Sequence, residues 1–167
     1  AGRPLWAHQV ALASGLEDSP VMIRVWHAQG EHYAIEECFA ALVRRRFPGG
    51  AEPIEFAQTL EDCGRADLAQ HLLALGVESM RASASTFLPL VRAYAALLVR
   101  QGQFESAENL LMREGEGLTE GYPELLVQLY AGWNKLDRLA QELAKFHLPD
   151  GVQHEALYLA AARQRQK

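Results

Sequence analysis

Three glycines, Gly30, Gly64 and Gly102, each close one helical pattern and stand just ahead of another, 34 and 38 residues apart. This recurrence limits what the chain can fold into more than any other feature. The clearest copy runs from Leu97 to Leu111, LLVRQGQFESAENLL. Before its glycine, Val91, Tyr94, Leu97 and Leu98 fall at three- and four-residue steps, which places them on one face of a helix. After it, Phe104, Ala107, Leu110 and Leu111 repeat that spacing. Gly102 suits a helix C-terminus, where the backbone turns through a positive φ that glycine adopts without steric cost. The pattern predicts two antiparallel helices with almost no loop.

A lone hairpin cannot bury both of its faces, so copies must pack on one another. Ala69 and Ala107 stand five residues past Gly64 and Gly102, in GRADLA and GQFESA. A fourth copy is expected with Lys135 at the turn, 33 residues after Gly102, and with Ala140 at the same offset in KLDRLA. A period near 34 made of two helices is the mark of tetratricopeptide-type repeats. On these residues the chain resembles a tetratricopeptide repeat (TPR) array. The repeat from Leu88 supplies Tyr94, Ala95, Leu98, Gly102, Phe104 and Ala107 at the family's pattern positions, and that from Gly50 supplies Phe56, Ala57, Leu60, Gly64, Ala66, Ala69 and Leu73. The repeat from Gly121 supplies Val127, Ala140 and Leu143 but departs at Gln128 and Lys135, and that from Leu16 carries Ile23 and Ile35 where small residues are usual.

The resemblance implies an all-α fold, a right-handed α-solenoid of about ten helices. Its expected organisation is a single array over 1–167: a helix over 4–14, repeats near 16–49, 50–84, 85–118 and 121–149, and a terminal helix over 150–165. Asp18 or Ser19 is expected to cap a helix opened by Pro20. The segment Gly76 to Ser85 accounts for the longer 38-residue spacing as an insert or a helix extension, and Pro89 is expected in the first turn of the next helix. EGEGLTEG, from Glu114 to Gly121, reads as a flexible connection. ALYLAAA, from Ala156 to Ala162, is apolar nearly all round, and a terminal repeat needs a polar outer face. With a start lacking Met, this gives the expectation that the chain is a piece of a longer protein.

Composition supports the fold class and narrows the partners. Apolar residues make up 49%, rich in Ala and Leu and poor in the β-branched residues that long strands need. The formal charge of −5 argues against nucleic acid as the main partner, because phosphate binding needs a basic face. The basic run Arg44, Arg45 and Arg46 falls at a helix end, where the helix dipole favours cations. Cys38 and Cys63 are too few for a disulfide framework and form no CxxC, so they read as buried thiols. Cysteine usage fits a cytoplasm or a bacterial periplasm equally. No apolar run is long enough to span a membrane.

Motifs for chemistry are scarce. His8, His27, His32, His71, His147 and His154 make no HExxH or HxxxH spacing, so no metal site is expected. Glu36–Glu37 and Glu61–Asp62 are adjacent on helices and diverge by about 100°, and Glu114 with Glu116 lies in the flexible connection. No GxSxG occurs, and GEGLTEG lacks the lysine of a phosphate loop. The expectation is therefore a protein without catalysis and without cofactors.

What remains is the surface that the resemblance implies for ligands, the concave groove lined by each repeat's first helix. It implies Arg24 and His27, then Gln58, Glu61 and Asp62, then Arg92, Ala96, Val99 and Arg100, and last Tyr122, Leu125, Leu129 and Trp133. That lining runs from acidic through basic to aromatic and aliphatic. Arg92 and Arg100 lie two turns apart and suit a carboxylate, while Tyr122 and Trp133 suit an apolar anchor or the packing between repeats. The expected function is a non-catalytic scaffold that holds a partner protein or peptide. The alternative is a structural spacer or self-association segment. By family analogy alone, the setting would be a bacterial envelope or exopolysaccharide export machine in the periplasm, and the partner a polysaccharide-modifying or secretion component.

Overall fold

The structure is a computed structural model that describes residues 19–45, 53–79, 84–114 and 122–143. Among the described residues the chain is entirely helical, with eight helices and no strand. α1 (Pro20–Gln29) and α2 (His32–Arg45) make a first hairpin, and α3 (Pro53–Asp62) and α4 (Ala66–Ser79) a second. α5 (Ala84–Arg100) pairs with α6 (Phe104–Glu114), and α7 (Tyr122–Gly132) with α8 (Leu136–Leu143). The chain divides into two compact units between residues 82 and 83, so each unit holds two hairpins. In the first, α1 packs on α2 and α3, and α4 packs on α2 and α3. In the second, α7 packs on α5, α6 and α8, and α5 packs on α6. The expected helices over 4–14 and 150–165 and the glycine-rich connection after Glu114 lie outside the described residues. No helix among the described residues is long and apolar enough to cross a membrane.

All four hairpins turn in the same way. Gly30, Gly64 and Gly102 have φ of 76°, 74° and 73°, and the fourth turn places Asn134 at φ 61°. Each of these residues donates its N–H to a carbonyl three residues back, and the residue after it donates to one five residues back: Glu31 to Trp26 at 2.9 Å, Arg65 to Leu60 at 2.8 Å, Gln103 to Leu98 at 2.9 Å and Lys135 to Tyr130 at 2.9 Å. This pair of bonds satisfies helix-end carbonyls that would otherwise lack donors. The same following residue then offers its own carbonyl to the next helix, from Glu31 to Ile35, Arg65 to Ala69, Gln103 to Ala107 and Lys135 to Leu139. One residue in the left-handed region and one capping residue thus make the whole connection.

The fourth turn corrects the sequence register by one residue. Lys135 was expected at the left-handed position, but Asn134 occupies it, because asparagine is the non-glycine residue that best tolerates this conformation. Five residues past the turn now stand Ile35, Ala69, Ala107 and Leu139, all with no exposed surface, whereas Ala140 is exposed. Seven residues before it stand Ile23, Ala57, Ala95 and Val127, and four before it Trp26, Leu60, Leu98 and Tyr130, again all buried. Gln128 therefore leaves the packing position expected of it, and Val127 fills that position.

Helix boundaries follow local chemistry. Ser19 caps α1, its Oγ accepting from the Met22 N–H at 3.4 Å, with Pro20 at the first helical position. The additional residues of the 38-residue spacing lengthen α5, which begins at Ala84 and has 17 residues against the 10 of α3, whereas α4, running through buried Gly76 to Ser79, has the 14 residues of α2. Pro89 therefore lies inside α5, a turn beyond its start, and not in the first turn. There its ring removes one i→i−4 donor and crowds the Ser85 carbonyl, as an interior proline does.

Thr59 breaks the apolar pattern. It stands five residues before its turn, as Leu97 and Leu129 do, and has no exposed surface. Its Oγ1 has no hydrogen-bond partner among the described residues. Thr59→Val should raise the urea midpoint, because it removes a buried unsatisfied hydroxyl that costs about 1–3 kcal/mol. Gly102→Ala should lower stability by about 1–2 kcal/mol through φ alone, since a Cβ there meets nothing within 4 Å. Asn134→Gly, measured alongside by urea unfolding, should leave stability unchanged or higher.

Candidate interaction surface

Counting back from each left-handed residue identifies equivalent surface positions on the four first helices. Six, three and two residues before it stand Arg24, His27 and Ala28 on α1, and Gln58, Glu61 and Asp62 on α3. Ala96, Val99 and Arg100 hold these positions on α5, and Gln128, Ala131 and Gly132 on α7. Spaced by a turn or less, each trio lies on one face of its helix. Arg24, His27, Gln58, Asp62 and Arg100 are exposed, and Glu61, Ala96 and Val99 are half-buried. Arg92, two turns before Arg100 on α5, is exposed as well.

The fourth set differs from the expected one. Tyr122, Leu125 and Leu129, taken as lining, have 8%, 3% and 0% of their surface exposed and belong to the core of the second unit. The one-residue register shift accounts for this: it rotates α7 by about 100°, turning the expected lining inward. Exposed Gln128 and half-buried Gly132 take these positions, with Ala131 between them buried, and the signal that could have found them was Asn134, one of only two asparagines in the chain.

Trp133 is half-buried just beyond the end of α7. Its ring stacks with Phe104 at 6.2 Å between centroids and 20° between planes, and with Tyr130 at 6.5 Å and 7°. Lys135 Nζ lies 3.2 Å from the Trp133 ring centroid, a cation–π contact. The indole is thus in contact with rings on α6 and α7 while remaining half-buried. Phe104 also accounts for the glycine at 132: a Cβ there would stand 2.8 Å from Phe104 Cε1. The phenyl ring occupies the space that a side chain would take.

Behind this aromatic group lies a polar lock. Tyr130, fully buried, donates its hydroxyl to Glu108 Oε1 at 2.8 Å, and Arg138 Nη1 donates to the same oxygen at 2.5 Å. One carboxylate thereby ties α6 to α7 and α8. Burial pushes the Glu108 carboxyl up, but the hydrogen bonds from Tyr130 and Arg138, with the charges of Arg138 and Lys135, outweigh it and hold the group below its ordinary value. Burial first, then the Glu108 bond and charge, push the Tyr130 hydroxyl well up, so it stays a donor at neutral pH.

The first unit has its own cross-links. Arg65, the capping residue of its second turn, reaches Glu36 on α2 at 3.2 Å and Asp67 on α4 at 3.2 Å. Phe39 and His71 meet edge to face at 5.4 Å, joining α2 to α4. Cys63 is buried, and burial pushes its thiol up, with Asp62 adding to the rise and Arg24 opposing it. Two residues of the expected lining, from α1 and α3, therefore act on one point. A thiol held protonated in this way is a poor nucleophile.

Among the described residues no three His, Cys, Asp or Glu side chains form a cluster able to hold a metal ion. His27 and His32 are exposed on either side of Gly30. His8, His147, His154, Arg46 and Glu116 lie outside the described residues. Arg44 donates to the Ala40 carbonyl within its own helix at 3.2 Å.

The second unit contains an open cleft of about 550 Å³. Val99, Arg100, Gln101 and Gly102 form one side, Gln128, Ala131 and Gly132 the other, and Phe104 closes one end. These include five of the equivalent surface positions identified above on α5 and α7, so the register and the concavity coincide. Comparison with protein-family models, with curated proteins and with solved structures gave no match.

The lock makes the second unit acid-sensitive in a defined direction. A depressed carboxyl binds fewer protons folded than unfolded, so its contribution is fully present above about pH 4.5 and is lost as pH falls through the lowered value. Glu108→Gln should unfold at lower urea concentration at pH 7 and lose less stability between pH 5 and 3. Glu108→Ala should cost about 1–3 kcal/mol, because it leaves the buried Tyr130 hydroxyl without its acceptor.

Proposed function

We propose that the chain is a TPR-like α-solenoid which acts as a non-catalytic scaffold, holding a partner protein or peptide on the exposed faces of its first helices. What supports the reading is the fourfold recurrence of one hairpin: the same left-handed residue, the same pair of capping bonds and the same buried positions on either side. Within each unit, repetition of this kind sets equivalent surface positions on neighbouring hairpins, as an extended ligand requires. The residues at those positions vary from hairpin to hairpin, with Arg24 and His27 on α1, Gln58, Glu61 and Asp62 on α3, Arg92 and Arg100 on α5, and Gln128 on α7. Conserved geometry carrying varied side chains suits selective recognition, with charge setting orientation and association rate. The spacer reading is favoured by no particular observation among the described residues.

The test is affinity capture from the source organism, read by mass spectrometry, with the parent chain beside Arg92→Glu/Arg100→Glu. The double variant changes only exposed side chains and should keep the parent's helical circular dichroism and melting temperature. A partner held by the parent and lost from the variant is the expected result. Capture of the same proteins by both would overturn the reading.

A further inference from the structure

We propose that Glu108 sets the shape of the cleft between α5 and α7, because a row of aromatic rings carries its state to Phe104, the side chain that closes one end. The inference rests on the scaffold reading in one respect, that this cleft belongs to the binding surface. Two contacts join α6 to the end of α7, one turn apart. Phe104 and Glu108 stand four residues apart on α6, and Tyr130 and Trp133 three apart on the facing element. The polar contact runs from the Tyr130 hydroxyl to Glu108 at 2.8 Å, and the aromatic one from Trp133 to Phe104 at 6.2 Å. The stack of Tyr130 on Trp133 at 6.5 Å connects the two. Phe104 is the member of the row that meets the cleft, and its ring fills the space of a side chain at Gly132.

Packing of two hairpins does not require such a row. In the first unit His32, Cys63 and Leu60 hold the places of Phe104, Trp133 and Tyr130, and His32 is exposed. Glu36 holds the place of Glu108, but it pairs with Arg65 and is largely exposed. In the second unit Tyr130 is fully buried, so its ring cannot shift without displacing its neighbours. Phe104 is half-buried with the cleft on its open side, and a displacement of the row emerges there. The groups acting on Glu108 are Tyr130 of α7, Arg138 of α8 and Lys135 of the turn between them, and none from α5 is among them. Glu142 of α8 acts in turn on Tyr130. The bonds from Tyr130 and Arg138 hold the carboxyl below its ordinary value, so they are intact above about pH 4.5 and are lost as pH falls through the lowered value. Protonation releases Arg138, an exposed side chain that water solvates, and leaves Tyr130 a weaker acceptor. The row then loses its buried anchor, and Phe104 leaves its place over Gly132.

The test is NMR of the full chain labelled with ¹⁵N and ¹³C. Nuclear Overhauser contacts between the Phe104 ring and the Gly132 Hα protons report where the ring lies. Glu108→Gln at pH 7 should weaken these contacts and shift the amides of Val99, Gly102 and Gln128. In the parent, acid titration should move the same signals together with the Glu108 carboxyl carbon, at one midpoint below pH 4.5, while helical circular dichroism persists. Trp133→Met cuts the row, and in that background Glu108→Gln should no longer alter the Phe104 contacts. Trp133→Phe keeps a ring and should retain the effect, a rescue that loss of stability alone does not produce. Phe104 contacts unchanged by Glu108→Gln, or altered equally with and without a ring at position 133, would overturn the proposal. The first comparison needs no Trp133 variant and decides even where Trp133→Met does not fold. Partner capture with Arg92→Glu/Arg100→Glu alters no member of the row, so either reading can fail without the other.

Discussion

The structure depends on a single backbone state repeated four times. A residue with φ between 61° and 76° reverses the chain after each first helix, and its neighbour both completes the cap of that helix and begins the next. With so few residues in the connection, the two helices of a hairpin have no freedom to slide or rotate against each other. Their buried stripes must then meet at fixed registers, which is why burial recurs at the same offsets from each turn. The left-handed state is unfavourable for most residues, so glycine or asparagine at four sites sets the geometry of the described helices.

On that frame the two units join their hairpins by different chemistry. The second uses the Glu108 carboxylate, shared by Tyr130 and Arg138, together with the Phe104 ring lodged over Gly132 and stacked on Trp133. The first uses Arg65, which reaches both Glu36 and Asp67, and the edge-to-face contact of Phe39 with His71. In the second unit Tyr130 and the Glu108 carboxylate are shielded from water while Arg138 is exposed, so the loss of the carboxylate strands the Tyr130 hydroxyl. In the first, Glu36 and Asp67 are largely exposed, and water can replace either contact. The second unit is therefore the one in which a single side chain decides how two hairpins sit together. The cleft of the candidate surface is built directly on that junction.

The sequence by itself determined the helical class, the hairpin unit and three of its four turns. Glycine at a helix end and apolar residues at three- and four-residue steps are local properties, written in neighbouring residues. Of the positions that the resemblance implies on α1, α3 and α5, Arg24, His27, Gln58, Asp62, Arg92 and Arg100 are exposed, and Glu61, Ala96 and Val99 are half-buried.

Only the tertiary structure decided the fourth hairpin and what it presents. Lys135 and Asn134 are both compatible with a turn, and the backbone distinguishes them by placing the left-handed residue at Asn134. That single step moves Tyr122, Leu125 and Leu129 into the core and brings Gln128 to the surface, with half-buried Gly132 and buried Ala131 lining the cleft beside it. The use of Gly132 was equally hidden, since its reason is the Phe104 ring 28 residues earlier in the chain. Packing partners distant in sequence leave no local periodicity, so the cleft, the Glu108 lock and the engagement of Trp133 exist only once the hairpins are set against each other.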